Sequence, residues 1–445
     1  MLHFLFFALC ALALAALFDG LRQREGILQF QALFAGTFLF STIPQLVNYV
    51  FFPGRLPDIV YQDHGPEWAI IMCILCLLAG WLGYRRPLRK KVWPPAWMPA
   101  LNTGKVFFVG FVLCIIGMCA AWEVASLYGG IKVMFITHDS AITSAQGRIT
   151  IFMFLSRLLS AGLAICLLTT IGNGTFMKWL VIGIGMVYPV ALAVLLGRRG
   201  HAVTIVLMVV FALWFRKRWA PPRLASVIGL LLGGLWIIVA PTFRTEMAAS
   251  ENNFKEGLKA AAPTENLRDY FEGVRGEGMD NLVIGIPARL KKLQFSFGAL
   301  FWNDVMDNFV PAQVIGYENK DALMIPMQAE EAICLEYCGA GPTTAEGAYY
   351  TGPYSAFVEF GFFGCIIFYF MARGWKWLWT LANEQHNLAA QLWYVLLLYC
   401  IPCSVVNAVQ EAFAHVVFAS AIVVPVVLIA EQTRRAAKRR QVQTA

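Results

Sequence analysis

The feature that most constrains this chain is a series of apolar runs, each roughly 18–28 residues long. About 20 residues of helix span the hydrocarbon core of a bilayer. In lipid the backbone must satisfy its own N–H and C=O groups, so such runs fold as helices. Eleven runs can be marked, at about 2–19, 26–52, 67–84, 106–128, 149–171, 177–197, 201–215, 224–240, 354–372, 391–406 and 412–430. With 59% hydrophobic and only 14% charged residues, the 445-residue chain lies far from the composition of a soluble globule. The expected fold is therefore an all-α polytopic membrane protein with about 11 transmembrane helices. The first run is read as a retained helix. No basic residue precedes it and no A-x-A-like cleavage site clearly follows, as a signal peptide would require.

Basic residues set the orientation. The clusters "RRPLRKK" (Arg85 to Lys91), "RKRWAPPR" (Arg216 to Arg223) and "RRAAKRR" (Arg434 to Arg440) all fall on one side of an eleven-span chain. Placing them in the cytoplasm puts the N-terminus outside. The expected organisation is an N-terminal transmembrane bundle of about eight helices over 1–240 and a large periplasmic loop over 241–350. About three C-terminal helices over 351–433 and a basic cytoplasmic tail over 434–445 complete it.

The long loop holds 16 of the chain's 27 acidic residues. It alternates charge with aromatics, as in "RDYFEGV" and "LQFSFGALFWNDVMDNFV", which predicts short amphipathic helices on the membrane surface. So much Phe, Trp and Leu argues against a disordered tether. Cytoplasmic loops are short and basic and carry no glycine-rich phosphate loop, so nothing points to ATP as a driving force. Nine of eleven cysteines lie in apolar runs, where cysteine acts as a small hydrophobe. Cys334 and Cys338 lie in the loop, where an oxidising compartment permits a bridge, although helical spacing gives poor geometry for one.

The stretch "LAVLLGRRGHAVTIVL" sets Arg198 and Arg199 between two apolar runs, and the span count puts them at the outer face. They break the positive-inside pattern, so another cause must hold them there. Arg244, in "APTFRTEM", follows the eighth run at the same depth. Three arginines at one level need an anion, and the guanidinium fork suits phosphate oxygens. Lipid headgroups would supply one; a lipid-linked pyrophosphate is the sharper reading.

Further ionisable residues lie within or beside the runs. Such residues usually face the bundle interior and mark sites or pathways. Glu123 with Arg157 fits a structural pair as well as a functional one. In "NAVQEAFAH", Asn407, Glu411 and His415 recur every four residues and line one helix face. That stripe, with Gln410 beside it and Glu359 in the ninth run, lies at the outer ends of its spans.

Four stretches carry a family resemblance. They are "YGGIKVMF", "GRRGHAVTIVLMVVFALWFRKR", the run "GPTTAEGAYYTGPYSAFVEFGFFG" closing the long loop, and "VQEAFAHVVFASAI" before the last span. With the topology, they resemble the O-antigen polymerase (Wzy-type) family of polysaccharide repeat-unit polymerases, within the C-type glycosyltransferase membrane group. The chain departs from that pattern in having "PYSAF" where a Gly-Glu pair is common, and Gln410 rather than Arg before Glu411.

The resemblance implies a metal-independent glycosyltransferase of the bacterial inner membrane, active at its periplasmic face and using no cofactor. It transfers a glycan from undecaprenyl pyrophosphate to the non-reducing end of a lipid-linked acceptor unit. Its partners would be lipid-linked donor and acceptor oligosaccharides, membrane lipids and a chain-length regulator, with no nucleic acid. Arginines replace the cation, since no DxD-like motif lies in the external loops. The expected catalytic residues are Glu411, Arg198, Arg199 and His415. Those expected to bind substrate are Arg244, Arg289, Thr344, Tyr349, Glu359, Asn407 and Gln410, and no metal ligands are assigned. Trp302, Tyr317, Tyr350 and Tyr354 join Tyr349 as aromatics able to stack on sugars. An O-antigen ligase is disfavoured because the loop from Pro241 to Tyr350 has no histidine. A lipid-linked sugar flippase is disfavoured because polar groups gather at one face rather than at the midplane.

Overall fold

A computed structural model of the chain describes residues 1–22, 25–52, 56–88, 95, 98–128, 148–172, 174–195, 199–220, 222, 229, 277–310, 312–327, 330–339 and 350–431. Among these residues there is no strand, and one isolated antiparallel bridge joins Leu101 to Glu431. Among the described residues, nine helical stretches are long and apolar enough to cross a membrane: Leu2–Leu21, Phe30–Phe51, Gly65–Arg85, Thr103–Leu127, Ile151–Thr170, Phe176–Ala193, Gly352–Glu384, Leu388–Val406 and Val409–Ala430. The chain is an all-α, multi-pass membrane protein. Nine of the eleven expected spans correspond to these helices. The seventh falls in helix Arg199–Lys217, and nearly all of the eighth, 224–240, lies outside the described residues.

The chain divides into two compact units that cut across chain order. The first comprises Met1–Arg89, Thr264–Trp377 and Cys400–Val417. Its core is an aromatic ladder. Phe30, Phe34 and Phe38 stand one helical turn apart and are all buried, with Phe30 stacked on Phe34 at 4.9 Å. Phe34 meets Phe368 at 5.7 Å, and Phe30 stacks on Tyr84 and Trp375. Close packing of this kind substitutes for the hydrophobic drive that lipid cannot provide between helices.

Pairings within this unit define its two ends. His3 and Phe6 meet Phe51, so the first two spans run antiparallel. At the end they share, Tyr49 donates to Asp280 and Tyr337 donates to Asp63 at 2.6 Å. At the other end Asp19 accepts from Gln31 and Trp81, each at 3.0 Å, and lies 3.8 Å from Arg85. Helix Gly65–Arg85 separates the two ends by about 30 Å, from its 21 residues at 1.5 Å each.

The sequence predicts surface helices in the long loop, but not all of them lie there. Helix Glu277–Lys292 buries Met279, Asn281 to Ile284, Ile286, Ala288 and Arg289, and packs against Gly65–Arg85, Glu330–Cys338 and Gly352–Phe360. The reason is legible in its "LVIGIPA" run. Seven consecutive apolar residues leave no polar face to turn toward water. Residues Thr264–Trp377 accordingly belong to the same compact unit as the first three spans.

The second unit comprises Lys90–Pro263, Leu378–Tyr399 and Phe418–Ala445. Helices Thr103–Leu127 and Arg148–Thr170 cross closely, and a Cβ at Gly117 would overlap the backbone at Leu159. Asn102 starts the first of these helices, accepting from the amides of Gly104 at 3.0 Å and Lys105 at 3.2 Å. Phe211, Phe215, Trp379 and Tyr394 form a buried aromatic cluster, beside which Trp214 donates to Asn383 at 2.9 Å.

Candidate functional site

Helix Gly352–Phe360 organises the polar centre of the first unit. Every residue from Gly352 to Glu359 is buried. Thr351 caps the helix by accepting from the Tyr354 amide, and Pro353 sits in the first turn, where its missing N–H costs nothing. Glycine is needed at 352 because a Cβ there would overlap the Ser404 carbonyl. That close approach brings helix Cys400–Val406 alongside. Ser355, fully buried, then accepts from the Val409 amide at 2.8 Å.

This last bond holds an interruption. Helix Cys400–Val406 ends, residues 407 and 408 leave the helix, and Val409–Ala430 begins. Broken helices at membrane depth are tolerated where protein or a cavity satisfies the freed backbone. Here Ser355 does so for Val409, and the Ala408 carbonyl accepts from the Glu411 amide at 3.2 Å.

The polar stripe expected from the sequence stands at this break. The Glu411 carboxylate accepts from Asn407 Nδ2 at 3.0 Å and from Cys403 Sγ at 3.3 Å, both at Oε2. Among the described residues Oε1 makes no hydrogen bond, and Glu411 is half-buried. His415 Nδ1 lies 2.9 Å from the Glu411 main-chain carbonyl, which can only accept. Nδ1 is therefore the donor in this bond. Gln410 is buried, with its side-chain oxygen unpartnered among the described residues. Asn407 and Glu411 thus meet side chain to side chain and His415 touches the Glu411 main chain, while no hydrogen bond joins the Gln410 side-chain oxygen to them among the described residues. Cys403 was not expected there, yet it continues the same four-residue spacing one turn earlier and was open to recognition on that ground.

Two expected substrate contacts take structural roles instead. Glu359 is wholly buried, and its two oxygens accept from Gly298 N, Phe301 N at 3.1 Å and Ser296 Oγ at 3.2 Å. It caps helix Ala299–Phe309 from outside that helix, and Gly298 before it adopts a left-handed φ of 97°. A carboxylate buried to this extent and engaged at both oxygens is closed off from a sugar on the surface. Arg289 is 3% exposed and donates to the Gln294 carbonyl at 3.1 Å, stitching the end of its helix to the next loop. Tyr354 is also buried, under Tyr350 and against Gly285, so its ring cannot stack on a ligand. Trp302 and Tyr317 are exposed, as sugar-stacking aromatics would need to be.

Of the expected arginines, Arg198 and Arg244 lie outside the described residues, as do Thr344 and Tyr349. Arg199 opens helix Arg199–Lys217, in the second unit. The Cys334 and Cys338 thiols are unbridged, and Cys338 Sγ donates instead to the Cys334 carbonyl at 3.4 Å.

One polar cluster escaped the sequence reading. Asp63, just before the third span, lies 2.5 Å from Lys291 and accepts from Tyr337. The Lys291 bond first, then the Tyr337 bond, hold the Asp63 carboxyl below the usual aspartate range. Burial and then Asp63 push the Tyr337 phenol up. Asp63 lies more than 200 positions from both Lys291 and Tyr337 in sequence, and no local pattern joins them. Compared with protein-family models, curated proteins and solved structures, the chain gives no significant match to any.

Proposed function

We propose that this multi-pass protein is a polymerase of lipid-linked oligosaccharide repeat units, acting at the periplasmic face of the bacterial inner membrane. The observation that carries the reading is Glu411. Its carboxylate stands at a helix break within an apolar chain, held through one oxygen by Asn407 and Cys403, with the other unengaged among the described residues. An oriented carboxylate with one oxygen unengaged is the geometry a general base requires.

In the proposed reaction an acceptor-sugar hydroxyl attacks the anomeric carbon of the donor glycan. The new glycosidic C–O bond forms as the bond to undecaprenyl pyrophosphate breaks, and the hydroxyl proton passes to Glu411 Oε1. Asn407 and Cys403 keep the carboxylate oriented, and His415 lies one turn further along the same face. The departing pyrophosphate needs positive charge, which Arg198, Arg199 and Arg244 supply in this reading.

The decisive experiment supplies purified protein in detergent with lipid-linked repeat units and resolves the products by gel. A ladder of lengthened glycans is expected. Folded protein that leaves the repeat units unchanged, with a validated polymerase as control, would sink the proposal.

A further inference from the structure

The end of the first unit opposite Glu411 carries an open cavity of about 300 Å³, lined by Arg86, Tyr369, Phe370 and Arg373. Two arginines converge on it from two membrane-spanning helices. Arg373 donates to the Arg86 and Pro87 carbonyls, which follow the end of helix Gly65–Arg85. Arg86 donates to the Tyr369 hydroxyl at 3.2 Å. Among the described residues neither guanidinium lies within ion-pair distance of a carboxylate. The neighbouring Arg85 differs, since Asp19 lies 3.8 Å from it and its guanidinium covers the Trp81 ring. Two like charges thus line one cavity with no carboxylate in ion-pair distance among the described residues, while Asp19 serves Arg85.

The wall beside them is apolar and faces outward. Phe370 is 67% exposed, and Ile366 and Phe363 are exposed three to four residues apart on the same helical face. In a membrane-spanning helix these rings meet acyl chains. From Phe370 to Phe363 the stripe runs about 10 Å toward the middle of the span. Leu82, half exposed, stands one turn before Arg86 on the other helix.

We infer that this cavity is a binding site for an anionic glycerophospholipid, with its phosphate between Arg86 and Arg373 and one acyl chain along Phe370, Ile366 and Phe363. The cationic pocket matches a phosphodiester, whose oxygens the guanidinium fork can take bidentately. Basic pockets between membrane helices suit anionic headgroups for this reason. The apolar track selects a lipid over free phosphate, which would gain nothing from it.

The test uses full-length protein, delipidated in detergent and titrated with phosphatidylglycerol, phosphatidylcholine or inorganic phosphate. Native mass spectrometry counts bound lipid, and thermal unfolding reads the stabilisation. Saturable phosphatidylglycerol binding that raises Tm is expected, with little effect of the other two. Arg86→Gln removes one charged contact and should weaken phosphatidylglycerol at least about ten-fold, leaving the lipid-free Tm near wild type. Equal affinity of wild type and Arg86→Gln would overturn the assignment. So would phosphatidylcholine matching phosphatidylglycerol, or inorganic phosphate giving the whole shift. Should Arg86→Gln fail to fold, Phe370→Ala reads the acyl track, and unchanged phosphatidylglycerol affinity there would equally overturn it.

Discussion

Buried Glu359 and half-buried Glu411, both in the first unit, show how partners, rather than residue type, decide a carboxylate's work. Glu359 spends its oxygens on Ser296, Gly298 and Phe301, whereas Glu411 is held through Oε2 alone. Replacing each by glutamine should separate the roles. Glu411→Gln should lower polymerisation about 10²–10⁴-fold, the usual contribution of a general base, with little change in Tm. Glu359→Gln turns an acceptor toward amide donors it can no longer all satisfy and should cost about 1–3 kcal/mol of stability. Its measure is the melting temperature, and a Tm loss confined to Glu411→Gln would reverse the assignment. The arginines admit a sharper substitution. Arg198→Lys and Arg199→Lys keep the charge but lose the fork that grips a pyrophosphate. At matched expression each should reduce the polymerisation rate roughly thirty- to a thousand-fold, equivalent to about 2–4 kcal/mol. Near wild-type polymer from both would return the pair to simple anchoring.

At the scale of elements, what could be read in advance was whatever depends on local pattern. Apolar length located nine spans to within several residues. Four-residue spacing found Asn407, Glu411 and His415, and one further step along it would have reached Cys403. The burial of helix Glu277–Lys292 was also written in its unbroken "LVIGIPA" run, but its acidic surroundings suggested a surface element. Contacts made over long sequence distances left no such trace. Nothing near Glu359 announces that Gly298 and Phe301 will need a cap, and nothing near Gly352 announces the Ser404 carbonyl. That second contact predicts its own mutation. A methyl at Gly352 meets backbone, which cannot swing aside as a side chain would. Gly352→Ala should therefore cost about 1–3 kcal/mol or more, read as a lower Tm and easier proteolysis near residues 400–409. A variant as stable as wild type would mean the two helices are not so closely joined.

The link between Asp63, Lys291 and Tyr337 ties the start of the third span to two helices of the long loop, and its stability has a defined pH dependence. The folded-state pKa of Asp63 is lowered, chiefly by Lys291 and then Tyr337. Such a group contributes stability fully above its unfolded pKa, about 3.9, and loses it as pH falls through the lower folded value. Unfolding curves between pH 7 and pH 3 should show wild type losing an increment that Asp63→Asn never has. The two should converge at the acid end. Parallel curves across the range would show that the carboxylate contributes nothing.

For the whole molecule, the antiparallel pairings of the first unit fix which segments share an end, whatever the membrane does. His3 and Phe6 lie with Phe51, Tyr49 with Asp280, and Asp63 with Lys291 and Tyr337. Arg86 lies with Tyr369 and Arg373 about 30 Å away, at the far end of helix Gly65–Arg85. The chain's start and the helices following residue 277 must therefore face one compartment, and the Arg85 to Lys91 cluster the other. The positive-inside rule adds the sign, because lysines and arginines in short loops stay in the cytoplasm. Five of the seven residues from Arg85 to Lys91 are basic, and the stretch holds no acidic residue. Single cysteines placed at Lys320, which lies in a helix of the long loop, and at Arg89 in the basic cluster test both statements together. In a cysteine-free background, a membrane-impermeant maleimide applied to intact spheroplasts should label position 320 and reach position 89 only after lysis. Labelling of position 89 first would invert the molecule and place Glu411 in the cytoplasm, out of reach of any periplasmic glycan. Labelling of both before lysis, with membranes shown to be sealed, would break the shared-end arrangement itself.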